Sequence, residues 1–435
     1  MSIFKQKWSS HIYPWIIWTL GAGFFFYKYL VQVSPSVMTD ELMQAFHIHG
    51  AGLGNLSAYY FYAYLIMQIP VGILLDKYSP RLLTASAIFL CSISTFIFSG
   101  AYSLELASFA RAMMGAGAAF AAVSCFKLAT LWFKPNRFAL VSGLCMTAAM
   151  LGGVFGQMPL SLLVQSVGWR SALQVISVIG IALGIIYILI VRDKPGSRVM
   201  NQTIETSELA RVPWHQHLRS VFTNPQTWLL SLYSGLAFAP VSVFGGLWGV
   251  PFLQTSYALT KPQAAFAVSS IFIGFALGAP FFGWLSDYVG RRKPILFFGT
   301  LGAFIAISIV LYVPNQNLLG LSLFLFLFGF GASGFFTSFA MIRELFSLIL
   351  AGTILGFMNT FDSICEALFE PLVGALLDFT WEGKTLHGVH QFSIESYHLS
   401  LSLLPLSLLI SIILLYFIKE TYCIPIDEHE VHQKD

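Results

Sequence analysis

The sequence predicts an all-α membrane protein whose twelve transmembrane helices form two pseudo-symmetric six-helix bundles. Three observations carry that prediction. First, 57% of the 435 residues are hydrophobic and 10% are charged, whereas soluble domains carry about 25% charged residues. With a mean hydropathy of +0.75, much of the surface must face lipid. Second, the apolar residues fall into twelve stretches of the roughly 20 residues that an apolar bilayer core about 30 Å thick requires. Third, motifs at the ends of the first six stretches recur in the second six.

The first six stretches lie near 14–34, 51–75, 82–101, 105–131, 138–165 and 171–191. The second six lie near 226–254, 263–285, 294–313, 318–341, 351–377 and 397–418. The first is too long and continuous for a cleaved signal peptide and reads as a retained span. Basic residues set the orientation. With the N-terminus inside, seventeen fall on the cytoplasmic side, while the other side holds Arg170, Lys261 and Lys384. Both termini are therefore expected in the cytoplasm.

The longest polar interruption, 192–222, contains Pro195 and Gly196 and reads as a cytoplasmic linker. It separates an N-terminal bundle, 1–191, from a C-terminal bundle, 223–418, with a polar tail at 419–435. Cys91, Cys125, Cys145 and Cys365 sit in apolar segments, so small buried fillers are expected rather than disulfides; Cys423 lies in the tail.

Several function classes are excluded. The net charge of +3 and the lack of a basic cluster interleaved with aromatics argue against nucleic acid. The pairs His47/His49 and His215/His217 lie outside the spans without acidic or cysteine companions, so no metal site is expected. There is no zinc-protease motif, nucleophile elbow or phosphate-binding loop, so no enzyme activity, cofactor or ATP drive is expected.

The repeat points to function. Gly72-Ile73-Leu74-Leu75-Asp76, followed by Lys77 and Arg81, ends the second span. Gly283-Trp284-Leu285-Ser286-Asp287, followed by Arg291, Arg292 and Lys293, ends the eighth. Gly115-Ala116-Gly117 in span four matches Gly329-Phe330-Gly331 in span ten; Gly143 to Thr147 with Pro159 in span five matches Gly356 to Thr360 with Pro371 in span eleven. Duplicated six-helix units build central sites that either half can close, which implies solute transport by alternating access.

These motifs resemble those of the major facilitator superfamily. The loops at 72–81 and 283–292 are similar to its signature loop, and Arg111-Ala112-Met113-Met114-Gly115 to its fourth-helix motif. Ser79-Pro80 departs from that pattern, and the proline stiffens the turn. The resemblance implies a gating role for Asp76, Lys77, Arg81, Asp287, Arg291 and Arg292, as latches that hold neighbouring spans in the outward-open state. Solvated interfacial charge is the simpler alternative. Gln32-Val33-Ser34-Pro35-Ser36-Val37-Met38, Met67-Gln68-Ile69-Pro70-Val71-Gly72 and Trp132-Phe133 with Arg137-Phe138 resemble a bacterial subgroup that includes phagosomal nutrient transporters and relatives of lysosomal dipeptide transporters, which implies a bacterial inner (plasma) membrane.

Charge at bilayer depth marks candidate function. Asp362, Glu366 and Glu370 follow i, i+4, i+8 spacing in span eleven, a stripe about 12 Å long. Three ionised neighbours at this spacing would repel one another, so at least one is expected to carry a proton. Span five has Ala149 and Gly153 at the equivalents of the first two. The acids are therefore not demanded by the scaffold and are candidates for proton coupling, with Arg111. Arg111 has a structural alternative, being held by Glu105 or by backbone carbonyls. Lys127 reads as snorkelling to the interface. Lys28 lies at the depth of Glu366 and is the best-placed counter-ion or anion binder.

Tyr60, Tyr64 and Gln68 share one face of span two and present hydroxyls and an amide. With Lys28, Gln32, Trp248 and Asn359 they are the candidate substrate-binding residues. The expected function is proton-coupled import, by a monomer, of a small polar nutrient such as an amino acid, short peptide or organic acid. The expected partners are that solute, protons and the lipid bilayer. An exporter of a siderophore, metabolite or drug is the runner-up, although Gly152-Gly153-Val154-Phe155-Gly156 matches the antiporter motif only loosely. A transporter-like sensor is the third reading.

Overall fold

The computed structural model describes residues 12–133, 137–192, 221–346, 351–386 and 388–424. Most of the predicted linker and the end of the tail lie outside these residues.

Helix termini form where the sequence supplies caps. Ser79, Ser103, Asn224 and Asn317 each accept a hydrogen bond from the first turn of the helix they precede, satisfying donors that the helix leaves orphaned. Thr260 and Gln263 form a reciprocal capping box. Gly290 ends span eight with φ +68°, a left-handed conformation that glycine adopts without strain.

Among the described residues, ten helical segments are long and apolar enough to cross a membrane. Span one is Tyr13–Val37, three is Pro80–Ser99, four is Leu104–Trp132, five is Leu140–Val167 and six is Trp169–Ile190. In the second half, span seven is Pro225–Tyr257, eight is Lys261–Val289, nine is Lys293–Tyr312, ten is Leu318–Glu344 and twelve is Ile394–Phe417. Gly50–Lys77 and Ala351–Phe379, of 28 and 29 residues, occupy the places of predicted spans two and eleven. The all-α membrane class and the two-bundle fold are thus borne out. Span seven is α-helical to Val243, passes through a π-helical turn at Phe244–Trp248, and resumes at Gly249. Pro240 lies just before the turn and supplies no N–H to the ladder.

Small elements outside the apolar stretches were not foreseen. A helix at Thr39–Phe46 follows span one, and a two-stranded hairpin pairs Thr385–Leu386 with Val389–His390.

The first six spans meet the second six where span two packs on span eleven and span five on span eight. The start of span one at Tyr13 and the end of span twelve at Phe417 lie at one end of the molecule, the terminal end; the opposite end is the far end. At the far end the halves touch backbone to backbone. A Cβ on Gly374 would lie 2.1 Å from the Gly50 carbonyl oxygen, so only glycine permits the approach. Lys261 pairs with Glu41 across the halves at 2.6 Å, and Gln157 donates to the Gly245 carbonyl at 2.6 Å. At the terminal end, by contrast, a Cβ on Gly72, Gly143, Gly283 or Gly356 would meet nothing within 4 Å.

The cysteine expectation needs one correction. Cys125 and Cys145 form a disulfide, because the packed faces of spans four and five bring the two buried residues together. Cys91 and Cys365 are buried thiols, as fillers would be.

Candidate functional site

The intramembrane charges converge between the halves. Lys28 is 6% exposed, Arg111 1%, Asp362 4%, Glu366 5% and Glu370 1%. Five ionisable groups are thus withdrawn from water in one layer, an arrangement that is costly unless each is paired or neutralised.

Span one contributes Lys28 and Gln32, one turn apart, and the Lys28 ammonium donates to Gln32 Oε1. It also lies 3.9 Å from the centroid of the Tyr29 ring and 5.0 Å from that of Tyr64, within cation–π range. Glu366 is the carboxylate whose charge acts on it, although the two form no direct ion pair. Lys28 is therefore held by neutral groups while facing an acid in the opposite half.

Span two contributes the predicted face. Tyr60 and Tyr64 stack with ring centroids 6.3 Å apart, and Asn359 and Gln68 flank the Tyr64 hydroxyl. Arg111 donates to the Val31 carbonyl at 3.2 Å and to the Ser57 carbonyl and hydroxyl at 3.4 Å. Its guanidinium lies 5.1 Å from the Tyr60 ring centroid, and its charge acts on Glu370. Backbone carbonyls, not Glu105, hold this arginine. Glu105 instead lines a groove of about 440 Å³ with Asn55, Tyr59 and Ser108, apart from the charged layer.

Span eleven carries the three acids as one stripe. Asp362 accepts from Ser234 at 2.6 Å, Ser242 of span seven lies beside Glu366, and Ser57 lies beside Glu370. Trp248 is fully buried and donates its indole N–H to the Glu370 carbonyl at 3.1 Å, so it braces span eleven. Glu370, just before Pro371, is buried rather than open to water.

Six polar atoms of this layer have no hydrogen-bond partner among the described residues: Tyr60 Oη, Gln68 Nε2, Arg111 Nε, Ser242 Oγ, Glu366 Oε1 and Glu370 Oε2. Buried polar atoms are rarely left so. Beside them, a residual void of about 10 Å³ is lined by Tyr29, Gln32, Phe238, Ser242 and Phe272, room for about one water. A solute enters this layer only if the halves part.

The predicted gating residues separate into two groups. The side chains of Asp76 and Lys77 lie outside the described residues. Arg81 donates to the Ile188 carbonyl within its own half. In the second copy, Arg292 pairs with Asp287 at 2.6 Å and with Glu344 of span ten at 2.6 Å. Burial opposes the Arg292 charge, but its bonds to Glu344 and Asp287 prevail and raise its pKa. Glu420 accepts from the backbone N–H groups of Arg292 and Lys293 at 2.9 Å. Arg291 lies 5.9 Å from the Tyr422 ring centroid.

Sequence reasoning missed Ser57, Tyr29, Ser234 and Ser242, which are common residue types with no spacing signal. It also missed Glu344, whose position one residue after Arg343 at the predicted end of span ten was a usable hint. Lys127, read as snorkelling, donates to the Leu75 carbonyl near the end of span two.

The sequence matches the Major Facilitator Superfamily over residues 20–252 and 230–430, two segments that together span both halves. It is similar to the Probable hexose phosphate transport protein of Chlamydia pneumoniae, 24% identical over 69% of this chain and 71% of that protein. It is also similar to the Membrane sensor protein UhpC of Salmonella typhimurium, 22% identical over 87% of this chain and 88% of that protein. The fold is that of a bacterial homologue of the human lysosomal transporter Spinster, solved in an inward-facing and occupied conformation. The TM-score is 0.76 at 15% identity, covering 94% of this chain and 97% of that one. Multi-pass membrane transport, rather than enzyme catalysis, is the common property of this fold and family. The chain belongs to the Major Facilitator Superfamily.

Proposed function

We propose that this protein imports a small organic anion, coupled to protons, as a monomer in a bacterial inner membrane with both termini in the cytoplasm. The observation that carries the reading is the buried layer in which Lys28 and Arg111 face Glu366 and Glu370 while polar atoms of Tyr60, Gln68, Arg111, Glu366 and Glu370 lack partners. Cations held by carbonyls, an amide and aromatic faces are suited to exchange a weak protein partner for a carboxylate or phosphate ester. The name of the Chlamydia pneumoniae relative, a probable hexose phosphate transport protein, favours a sugar-sized anion over a short peptide. Proton gradients commonly energise such exchange, and carboxylates are the groups at hand to carry the proton.

In this mechanism Glu366 takes up a proton when the far end is open, which frees Lys28 from its charge. Lys28 and Arg111 bind the anionic group of the solute, while Tyr60, Tyr64, Gln68 and Asn359 bond its hydroxyls. The halves then close at the far end and part at the terminal end. Solute leaves, and Glu366 gives up its proton on that side. Energy enters through differential contacts in the two states.

The test is uptake into proteoliposomes of hexose phosphates and sugar acids under an imposed pH gradient. External acid is expected to drive accumulation. Glu366→Gln is expected to abolish gradient-driven accumulation while solute counterflow persists; unchanged accumulation in this variant would sink the coupling role. A second reading, a sensor that binds without flux, is favoured by the likeness to UhpC. Saturable binding with no counterflow of any of these anions would select it.

A further inference from the structure

The far end carries a cluster that the transport reading does not use. Asp378 of span eleven accepts the backbone N–H groups of Gly50 and Ala51, at 2.9 and 2.8 Å. It thereby caps span two from the opposite half, where a carboxylate complements the helix dipole. Directly beside it, His49 at the start of span two and His390 of the hairpin stack face to face, with ring centroids 3.5 Å apart and planes 2° from parallel. Trp381 stacks on the other face of His390 at 3.6 Å and 10°. His390 Nδ1 lies 3.5 Å from Asp378 Oδ1, the oxygen that also receives Gly50. A three-ring stack therefore joins the halves next to the backbone contact of Gly50 with Gly374.

We infer that this stack is a proton-operated latch: neutral His49 and His390 hold the far end closed, and protonation of both opens it. Two imidazoliums in face-to-face contact repel, and a charged His390 also draws Asp378 away from the start of span two. The first proton alone is tolerated, because His390 would lie between Asp378 and the Trp381 face.

The charged groups around His390 are few. Burial holds its pKa below the ordinary value, His49 pushes the same way, and Asp378 opposes them. The helix Thr39–Phe46 also packs against the hairpin; it carries Asp40 and Glu41, which interact with Lys261. Glu382 and Lys384 pair with each other in the exposed turn. A histidine whose pKa is lowered in the closed form stabilises that form above its ordinary value of about 6.5 and ceases to as pH falls. Closure is therefore favoured at neutral pH and weakened in acid. The latch requires neither the solute nor the protonation of Glu366.

The test uses full-length protein in nanodiscs. Spin labels are placed at Gln44→Cys and Pro314→Cys, two exposed far-end positions in opposite halves, in a Cys423→Ser background. The distance between them is expected to lengthen from pH 7.5 to pH 5. In His49→Phe/His390→Phe, which keeps the stacking but cannot titrate, it is expected to stay short at both. A distance that ignores pH in the parent, or that lengthens equally in the double variant, overturns the latch. Should the double variant fail to fold, His49→Asn alone, at an exposed position, is expected to shrink the pH response; an undiminished response overturns it equally.

Discussion

Gly54 in span two faces the main chain of Glu370 in span eleven so closely that a Cβ on Gly54 would lie 2.4 Å from the Glu370 carbonyl oxygen. It would also lie 2.7 Å from Pro371 Cα. Backbone on both sides cannot yield as a side chain can. Gly54→Ala therefore penalises the closed far end by an overpacking cost of about 1–3 kcal/mol. That shifts the balance between closed and open far ends by roughly fivefold to 150-fold. Labelling of Val33→Cys by a membrane-impermeant maleimide from the far side is expected to rise in this variant, while uptake falls. Gly302→Ala is the control, since a Cβ there meets nothing within 4 Å; it is expected to leave both readings unchanged.

Lys28 supplies a second prediction, since its present partners are one amide and two aromatic faces. A hydrogen bond to a charged group contributes about 1.5–3 kcal/mol. Lys28→Gln is expected to weaken binding of the organic anion by roughly tenfold to a hundredfold, read as the competitor concentration that halves counterflow. Gln32→Ala removes a neutral partner and is expected to cost less than tenfold. Equal losses in the two variants would show that the ammonium does not meet the solute's charge.

Much of this architecture was legible because lipid leaves few solutions for a long apolar chain. Span lengths follow from bilayer thickness, and the duplicated loops at Asp76 and Asp287 mark equivalent helix ends. The stripe of Asp362, Glu366 and Glu370 was legible because helical periodicity fixes which residues share a face. Contacts between distant spans were not. His49 and His390 are some 340 residues apart, and neither stands in a recognisable pattern. His49 looked like half of a weak metal pair with His47, whereas the fold gives it a ring to stack on. Cys125 and Cys145 each looked like a small filler, and only the packing of spans four and five pairs them. Asp378 lies beyond the predicted stripe, and its role depends on two backbone N–H groups that no side-chain pattern announces.

Asp40 gives a pH prediction outside the spans. Burial pushes its carboxyl pKa up from the ordinary value; Lys261 opposes that shift, and Glu41 adds to it. A carboxyl with a raised folded pKa favours the fold while protonated and penalises it as pH rises through that pKa. Asp40→Asn removes the penalty without removing the side chain. Asp40 is partly open to solvent, so the penalty is small: the variant is expected to raise the thermal midpoint slightly at pH 7 and to approach the parent as pH falls below the ordinary carboxyl value of about 3.9. A variant less stable than the parent at pH 7 would mean that attraction to Lys261 outweighs burial.

Arg292 bonds two acids whose surroundings differ, and their removal is expected to have unequal effects. The side chain of Glu344 is 9% exposed and that of Asp287 is 70% exposed. Glu344 also accepts from Thr421 Oγ1, so it ties span ten to the start of the tail. Removing one partner of a buried pair strands the other charge, which typically costs about 3–5 kcal/mol. Glu344→Gln is accordingly expected to lower the thermal midpoint of the detergent-solubilised protein by several degrees. Asp287→Asn removes an exposed partner worth about 1 kcal/mol or less, and its midpoint is expected to move little. If Asp287 is a latch, its substitution alters transport without altering stability, because its contribution lies in the difference between two states. A fall in uptake with an unchanged midpoint for Asp287→Asn, set against a fall in both for Glu344→Gln, separates gating from support. Equal destabilisation by the two substitutions would instead make Asp287 a structural partner of Arg292.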